Sequence, residues 1–219
     1  MPRTPRIPRD VEHRIILDAS RKLFASSGFH RSTMDQISSA AGVSKPVLYR
    51  HFESKVDLYS TVLDDCISCF QPRIAGTFSA QGTPRDRTEK TIMAFTDLVL
   101  EHRDIYDILF RTDVINHSEI DTKVQTFRTG IVEGLTQTFL QDSRFTDPVV
   151  CRMCAQSIVS ATLSAVENIS TAEASARPTL ITVLYRLIWG AIYLMDQEVD
   201  PLPSAPLGSP TEPDRNGLG

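Results

Sequence analysis

Three groups of residues in this chain could do chemistry. The first is the stretch Ser44-Lys45-Pro46-Val47-Leu48-Tyr49-Arg50-His51-Phe52, dense in cationic, hydroxyl and aromatic side chains. Ammonium, hydroxyl and imidazole groups are the partners of nucleic-acid phosphates and base edges. The second is the four cysteines, spaced Cys66-x-x-Cys69 and Cys151-x-x-Cys154, a pattern that can hold zinc or work as a redox switch. The third is a set of large apolar side chains, Phe70, Phe95, Leu98, Phe110, Phe127, Ile131 and Met153, able to line a ligand cavity. The five histidines are scattered, and none is spaced with carboxylates as a metal site. Glu133, flanked by apolar residues, reads as a surface acid.

Spacing separates the three groups. The 81 residues between Cys69 and Cys151 match no zinc-finger interval. Both pairs also fall within predicted helices, where cysteine is a frequent small core residue. Ordinary burial is the expectation for them, and a metal- or redox-sensing role through Cys66/Cys69 and Cys151/Cys154 is the alternative. An aromatic stripe at helical spacing is core by default, so the cavity reading of the third group is an expectation for the structure to meet.

The first group has a stronger frame. It follows a tight turn, Ala40-Ala41-Gly42-Val43, and a short helix opened by Ser32-Thr33, with Thr33 and Gln36 able to form a capping box. Two short helices joined by a glycine-containing turn make a helix-turn-helix, whose second helix enters the DNA major groove. Ser44 is the predicted cap of that second helix, and Pro46 sits in its first turn, where a missing N–H costs nothing. Leu48 and Phe52 face inward. Lys45, Pro46 and Val47 are placed for base edges. Tyr49, His51 and Lys55, with backbone amides near Thr33 and Ser44, are placed for phosphates. Arg50 reads equally well toward DNA or toward the body.

The charge distribution agrees. The chain carries a net charge of -4, but residues 1–59 hold ten Lys and Arg against six Asp and Glu, a net of +4. The remaining 160 residues are acidic, with a net of -8. Phosphate attraction is local on a Debye length of roughly 10 Å, so a remote acidic region does not oppose binding. Residues 1–9, with arginine after proline at 3, 6 and 9, read as a basic flexible arm. No uninterrupted apolar stretch reaches the ~18 residues of a membrane helix. No apolar segment follows the basic N-terminus, so no signal peptide is expected, and a cytoplasmic protein is.

The rest of the chain reads as helices that position or release this reader. A first helix runs from Asp10 to about Ser27, with Val11, Ile15, Ile16, Ala19, Leu23 and Phe24 on its apolar face and Gly28 as its stop. A fourth starts at Ser54 with a second capping-box pattern, and Pro72 is expected to kink or end it. A loop or frayed end over Gly76–Pro84 precedes the fifth, opened by Thr83-Pro84. A short sixth over Ile105–Phe110 and a seventh capped by Ser118 follow. The seventh carries the stripe Val124, Phe127, Ile131, Leu135 and Phe139. The eighth starts at Asp147-Pro148 and offers small residues such as Ser157, Ser160 and Ser164. The ninth, about 177–197, is apolar on nearly all sides, so it must be covered on nearly all sides, in part by a second subunit. No strand-type alternation is present, and residues 199–219, rich in Pro, Ser and Gly, read as a disordered tail. The expected fold is all-α, with about nine helices.

The segments Gly28–Ile37, Ala41–Phe52, Ser54-Lys55 and Leu58 together resemble the TetR family of one-component transcriptional regulators. The resemblance implies a three-helix DNA-binding domain, here residues 10–53, and a six-helix effector-binding and dimerisation domain, here 54–198. It also implies a homodimer through the last two helices, about 148–170 and 177–197, on double-stranded operator DNA. A narrower resemblance, carried by Gly42–Tyr49, Ala94-Phe95-Thr96-Asp97-Leu98 and Ile105–Phe110, is to the FasR type. That type implies control of fatty acid synthesis and a long-chain acyl-CoA effector. No cofactor is expected. A helical enzyme with an accessory DNA reader is the remoter rival. The chain has no Gly-rich phosphate loop, no Gly-x-Ser-x-Gly elbow and no His/carboxylate triad to support it.

Overall fold

The computed structural model describes residues 8–78, 81–111, 117–141, 145 and 147–194. Most of the predicted arm and all of the predicted tail lie outside them. Nine helices and no strand occur among the described residues: α1 (Arg9–Ser27), α2 (Met34–Ala40), α3 (Lys45–His51), α4 (Lys55–Phe78), α5 (Pro84–Glu101), α6 (Arg103–Phe110), α7 (Ser118–Leu140), α8 (Pro148–Thr171) and α9 (Arg177–Leu194).

Local chemistry sets the first three helices. Gly28 ends α1 at φ 77° with its N–H on the Phe24 carbonyl, 2.8 Å away. Thr33 and Gln36 make the full capping box of α2: the Thr33 hydroxyl accepts from the Gln36 N–H, and Gln36 Oε1 accepts from the Thr33 N–H at 2.9 Å. Gly42, at φ 67°, turns the chain into α3 in the left-handed region that other residues avoid. Ser32, the alternative cap, is buried and donates to the Gly28 carbonyl instead. Ser44 occupies the N-cap position of α3, but its side chain makes no capping bond.

One core joins these helices to the rest. Ile16 and Phe24 of α1, Ile37 of α2, Leu48 of α3 and Leu58, Tyr59 and Val62 of α4 are all buried. The buried face of α1 is rotated from the expected one. Ile16, Ser20 and Phe24 lie inside, while Val11 and Ile15 are exposed; α2, α4 and α6 are the helices that pack on α1. α4 runs through Pro72 to Phe78 without ending. Pro72 is exposed, and Ile74 and Thr77 beyond it are buried, so packing outweighs one lost hydrogen bond. Helix α7 packs along α8, α5 against α4 and α9, and α6 against α1. His117, not Ser118, is the residue before α7. Asp147 caps α8 as expected, accepting from the Val149 N–H at 2.8 Å.

α8 is long and apolar enough, by length and composition, to cross a membrane; its mean hydropathy reaches 1.5 over 18 residues. The helix includes Arg152 and Glu167, which is why no unbroken apolar run marks it. In this fold one side of it packs on α7, α5 and α9. Its other side stays bare, with Val149 77% and Met153 62% exposed. α9 also has a bare apolar side, with Val183 56% and Leu187 62% exposed, while Leu184, Ile188 and Ile192 are buried.

Candidate nucleic-acid interface and ligand cavity

The outward surface of α3 is made by Lys45, Pro46 and Tyr49, all exposed, with Val47 half-buried beside them. Leu48 and Phe52, pointing the other way, anchor the helix in the core. Lys45 reaches back to Asp35 of α2 at 2.7 Å, but both side chains are more than half exposed. Such a pair contributes about 0–1 kcal/mol, so a phosphate or guanine can take the ammonium from it. Thr33 is exposed at the start of α2, with its hydroxyl engaged in the cap.

Two of the expected phosphate contacts are placed elsewhere. The His51 side chain is 2% exposed, and its Nε2 lies 2.8 Å from Glu12 Oε2 on α1. Arg50 pairs with the same carboxylate oxygen, so it points to the body. The His51 hydrogen bond, with Arg50 beside it and burial opposing, holds the Glu12 carboxyl below its ordinary pKa. Lys55 donates to the carbonyls of Phe29 and Ser32, at 2.9 and 3.0 Å, and its ammonium sits 4.2 Å from the centre of the Phe29 ring. It ties α4 to the loop between α1 and α2. Neither His51 nor Lys55 faces outward, because upstream groups invisible in the local pattern claim both.

A second set of contacts connects this head to the remaining helices. Arg21 of α1 donates from Nε to Asp104 of α6 at 2.7 Å and also pairs with Asp18 and Asp65. Burial works against the charge of Arg21, yet these carboxylates, Asp104 foremost, raise its pKa above the usual guanidinium value. At the far end of α6, Arg128 of α7 donates to the carbonyls of Leu109 and Phe110. Phe110 itself touches an aromatic cluster with Phe70, Phe95 and Phe127, ring centres 5.6 to 6.2 Å apart.

Behind that cluster lies an apolar cavity that opens to solvent, walled by α4, α5, α7, α8 and α9 with Phe110 of α6. Phe95, Phe110 and Ile131 line it, as expected from the sequence, together with Ile92, Leu135 and Phe139. Phe70 and Leu98 are core residues outside the lining, and Phe127 instead lines a neighbouring groove between α4 and α7. Met153 is on the bare outer side of α8, not in the cavity; the same helical stripe faces outward there because α7 covers the opposite face. Sequence reasoning missed Arg87, Thr91, Thr138 and Thr162 in the lining. The signal for Arg87 was available: it precedes Thr91 and Phe95 at intervals of four on one face of α5.

The cysteines lie within α4 and α8 as free thiols, Cys66 and Cys151 buried and Cys69 and Cys154 half-buried. Burial pushes the Cys66 thiol up to about 12. No group of three or more metal-binding side chains occurs among the described residues. Glu133 is at the surface, hydrogen-bonded by Gln137.

A two-part match to known proteins fits this geometry. The family model described as bacterial regulatory proteins of the tetR family matches residues 16–62. The model described as the tetracyclin repressor-like C-terminal domain matches residues 84–191. The chain belongs to the TetR family. Its N-terminal match spans the helix-turn-helix, and the relatives it resembles are transcriptional regulators. The HTH-type transcriptional activator FasR of Mycolicibacterium smegmatis is 29% identical over 138 residues, 63% of each chain. The regulator HbdR of Aromatoleum sp. is 26% identical over 108 residues, 49% of this chain and 47% of its own. The chain thus spans less than two thirds of the length of these curated relatives. Among solved structures, a TetR-like regulator from Rhodococcus sp. RHA1 superposes with a TM-score of 0.72 at 24% identity, covering 86% of this chain and 99% of that one. AibR, solved in complex with isovaleryl coenzyme A and operator DNA, superposes with a TM-score of 0.65 at 18% identity, covering 80% of this chain and 97% of that one.

Proposed function

We propose that the protein binds a roughly palindromic operator as a homodimer and that a small apolar effector in the α4–α9 cavity sets its DNA affinity. Residues 10–53 carry the DNA contacts and 54–198 the effector site and dimer interface. The cavity carries the effector reading, because a well-packed core has few voids larger than a water. One relative's name points to lipid chemistry: a fatty acid metabolism regulator of Bacillus subtilis is 20% identical over 146 residues, and the resemblance to the FasR type implies the same. The coenzyme A thioester seen with AibR supports an acyl-CoA as the effector class. Long-chain acyl-CoA and control of lipid synthesis are the specific form of this reading.

The dimer reading rests on the bare apolar sides of α8 and α9, where Val149, Met153, Val183 and Leu187 need cover. Two copies of α3 then meet two half-sites about one helical turn of DNA apart, or a multiple of it. An effector acts only through better binding to one of two states. The route from cavity to head runs through Phe110, α6 and the Arg21–Asp104 pair.

Replacing Lys45 and Tyr49 together with Ala tests the DNA face. Specific operator binding is lost while the dimer and helicity stay; an unchanged operator Kd refutes the assignment of α3. Titration of the operator complex with palmitoyl-CoA tests the effector class. No change in operator affinity across acyl chain lengths removes acyl-CoA.

A further inference from the structure

We propose that Arg87 is the anion-receiving end of the cavity, so that the effector is a single-chain amphiphile with an apolar tail and an anionic head. The inference rests on the reading of the cavity as the effector site. Arg87 lines the cavity near the start of α5, and its Nε is buried without a hydrogen-bond partner. Among the described residues no carboxylate pairs with it, and no Asp or Glu lines the cavity. Arg87 as a whole is half-buried, but a buried guanidinium N–H left without an acceptor is costly unless something arrives to pair with it.

The other polar groups of the lining do not compete for that role. Thr77, Thr91, Thr138 and Thr162 each donate their hydroxyl proton to a carbonyl of their own helix, at 2.7 to 2.9 Å, and Thr88, the fifth threonine of the lining, is neutral. This leaves the N–H groups of Arg87 as the cationic donors facing the space. A forked guanidinium suits a carboxylate or a phosphate, and it can accept no hydrogen bond from a neutral alcohol. Phe95 lies about two turns further along α5, roughly 12 Å from Arg87 along the helix axis. Phe110 of α6 touches it there. The head group is therefore held at the end remote from α6, and the tail points toward the aromatic cluster. This orientation lets tail length, rather than head chemistry, be felt at α6.

The test is binding of palmitate, palmitoyl-CoA and hexadecanol to the full chain, read by displacement of the neutral dye Nile red. Wild-type protein binds at least one of the two anions tenfold or more tighter than the alcohol. A response to palmitate assigns the carboxylate as the head, and a response to palmitoyl-CoA alone assigns the phosphates. Arg87→Met loses about 10- to 100-fold for the anion and leaves hexadecanol within threefold. Arg87→Lys keeps most of the preference, which separates charge from packing. Equal binding of alcohol and anions by the wild type, or an undiminished preference in Arg87→Met, overturns the role of Arg87 and leaves the cavity reading intact. Ile131→Trp, which fills the cavity, abolishes all three; binding that survives it, or no binding by any probe, overturns the cavity reading and the inference with it.

Discussion

Asp104→Asn tests whether α1 and α6 act as one mechanical joint. The Arg21–Asp104 bond is 2.7 Å long between side chains 20% and 26% exposed. A hydrogen bond to a charged partner contributes about 1.5–3 kcal/mol. Asn keeps the shape and one acceptor but loses the charge. Arg21 retains Asp18 at 3.1 Å and Asp65 at 3.5 Å, so it is not left unpaired. The cost therefore falls at the low end, about 1–1.5 kcal/mol, or a Tm lower by roughly 3–5 °C for a chain of this size. If the joint transmits the effector signal, the coupling free energy falls by a similar amount, a factor of about tenfold in the effector's influence on operator Kd. Fluorescence anisotropy with labelled operator, with and without palmitoyl-CoA, reads this directly. Operator affinity without effector stays within threefold. A lowered Tm with an unchanged palmitoyl-CoA response would show the pair to be structural only, and the route through α6 would be wrong.

Other substitutions address the remaining assignments. Leu187→Glu places a charge on the bare side of each α9 in the proposed dimer, and sedimentation should show dimer affinity weakened at least ~100-fold; a dimer of undiminished affinity refutes that interface. Lys55→Met should lower stability by about 1–2 kcal/mol, from the lost bonds to the Phe29 and Ser32 carbonyls, while the salt dependence of operator binding keeps its slope. A slope reduced by about one would put Lys55 on a phosphate after all. Glu12, with its pKa depressed, stabilises the fold above its ordinary value of 4.5 and loses that contribution as pH falls through its lowered folded value. Denaturation of Glu12→Gln should show lower stability at neutral pH and a smaller further loss on acidification, and parallel curves would exclude the network. A thiol reagent at pH 8 should label Cys69 and Cys154 first and spare Cys66, whose thiol is pushed up to about 12; early labelling of Cys66 would mean that α4 opens there.

The helix-turn-helix was legible because its determinants are local. The Thr33–Gln36 box, Gly42 and the buried Leu48 lie within one short segment, and each specifies its own backbone or face. The intramolecular partners of His51 and Lys55 were not legible because they are distant in sequence: Glu12 is 39 residues upstream of His51, and Phe29 is 26 upstream of Lys55. Pro72 misled for a related reason, since only the packing of Ile74 and Thr77 shows why α4 continues. Met153 failed on rotation: periodicity reveals that a stripe exists, but its partner helices decide which stripe is inside. Arg87 shares a face with Thr91 and Phe95 in the sequence, but only the cavity opposite shows that this face lines a space.

One carboxylate, Glu12, fastens both Arg50 and His51 at the end of α3 to α1, so the reading helix cannot roll about its own axis. The grip on DNA and the content of the message are thereby kept apart. On the function proposed above, the choice of bases rests with the outward Lys45, Pro46 and Tyr49, and release rests with contacts behind α1. A promoter preference could be rewritten by exchanging the three outward side chains, with the chemical trigger left as it was. Regulators built this way can be rewired to new genes in a few steps, because the address and the alarm are stored in different places.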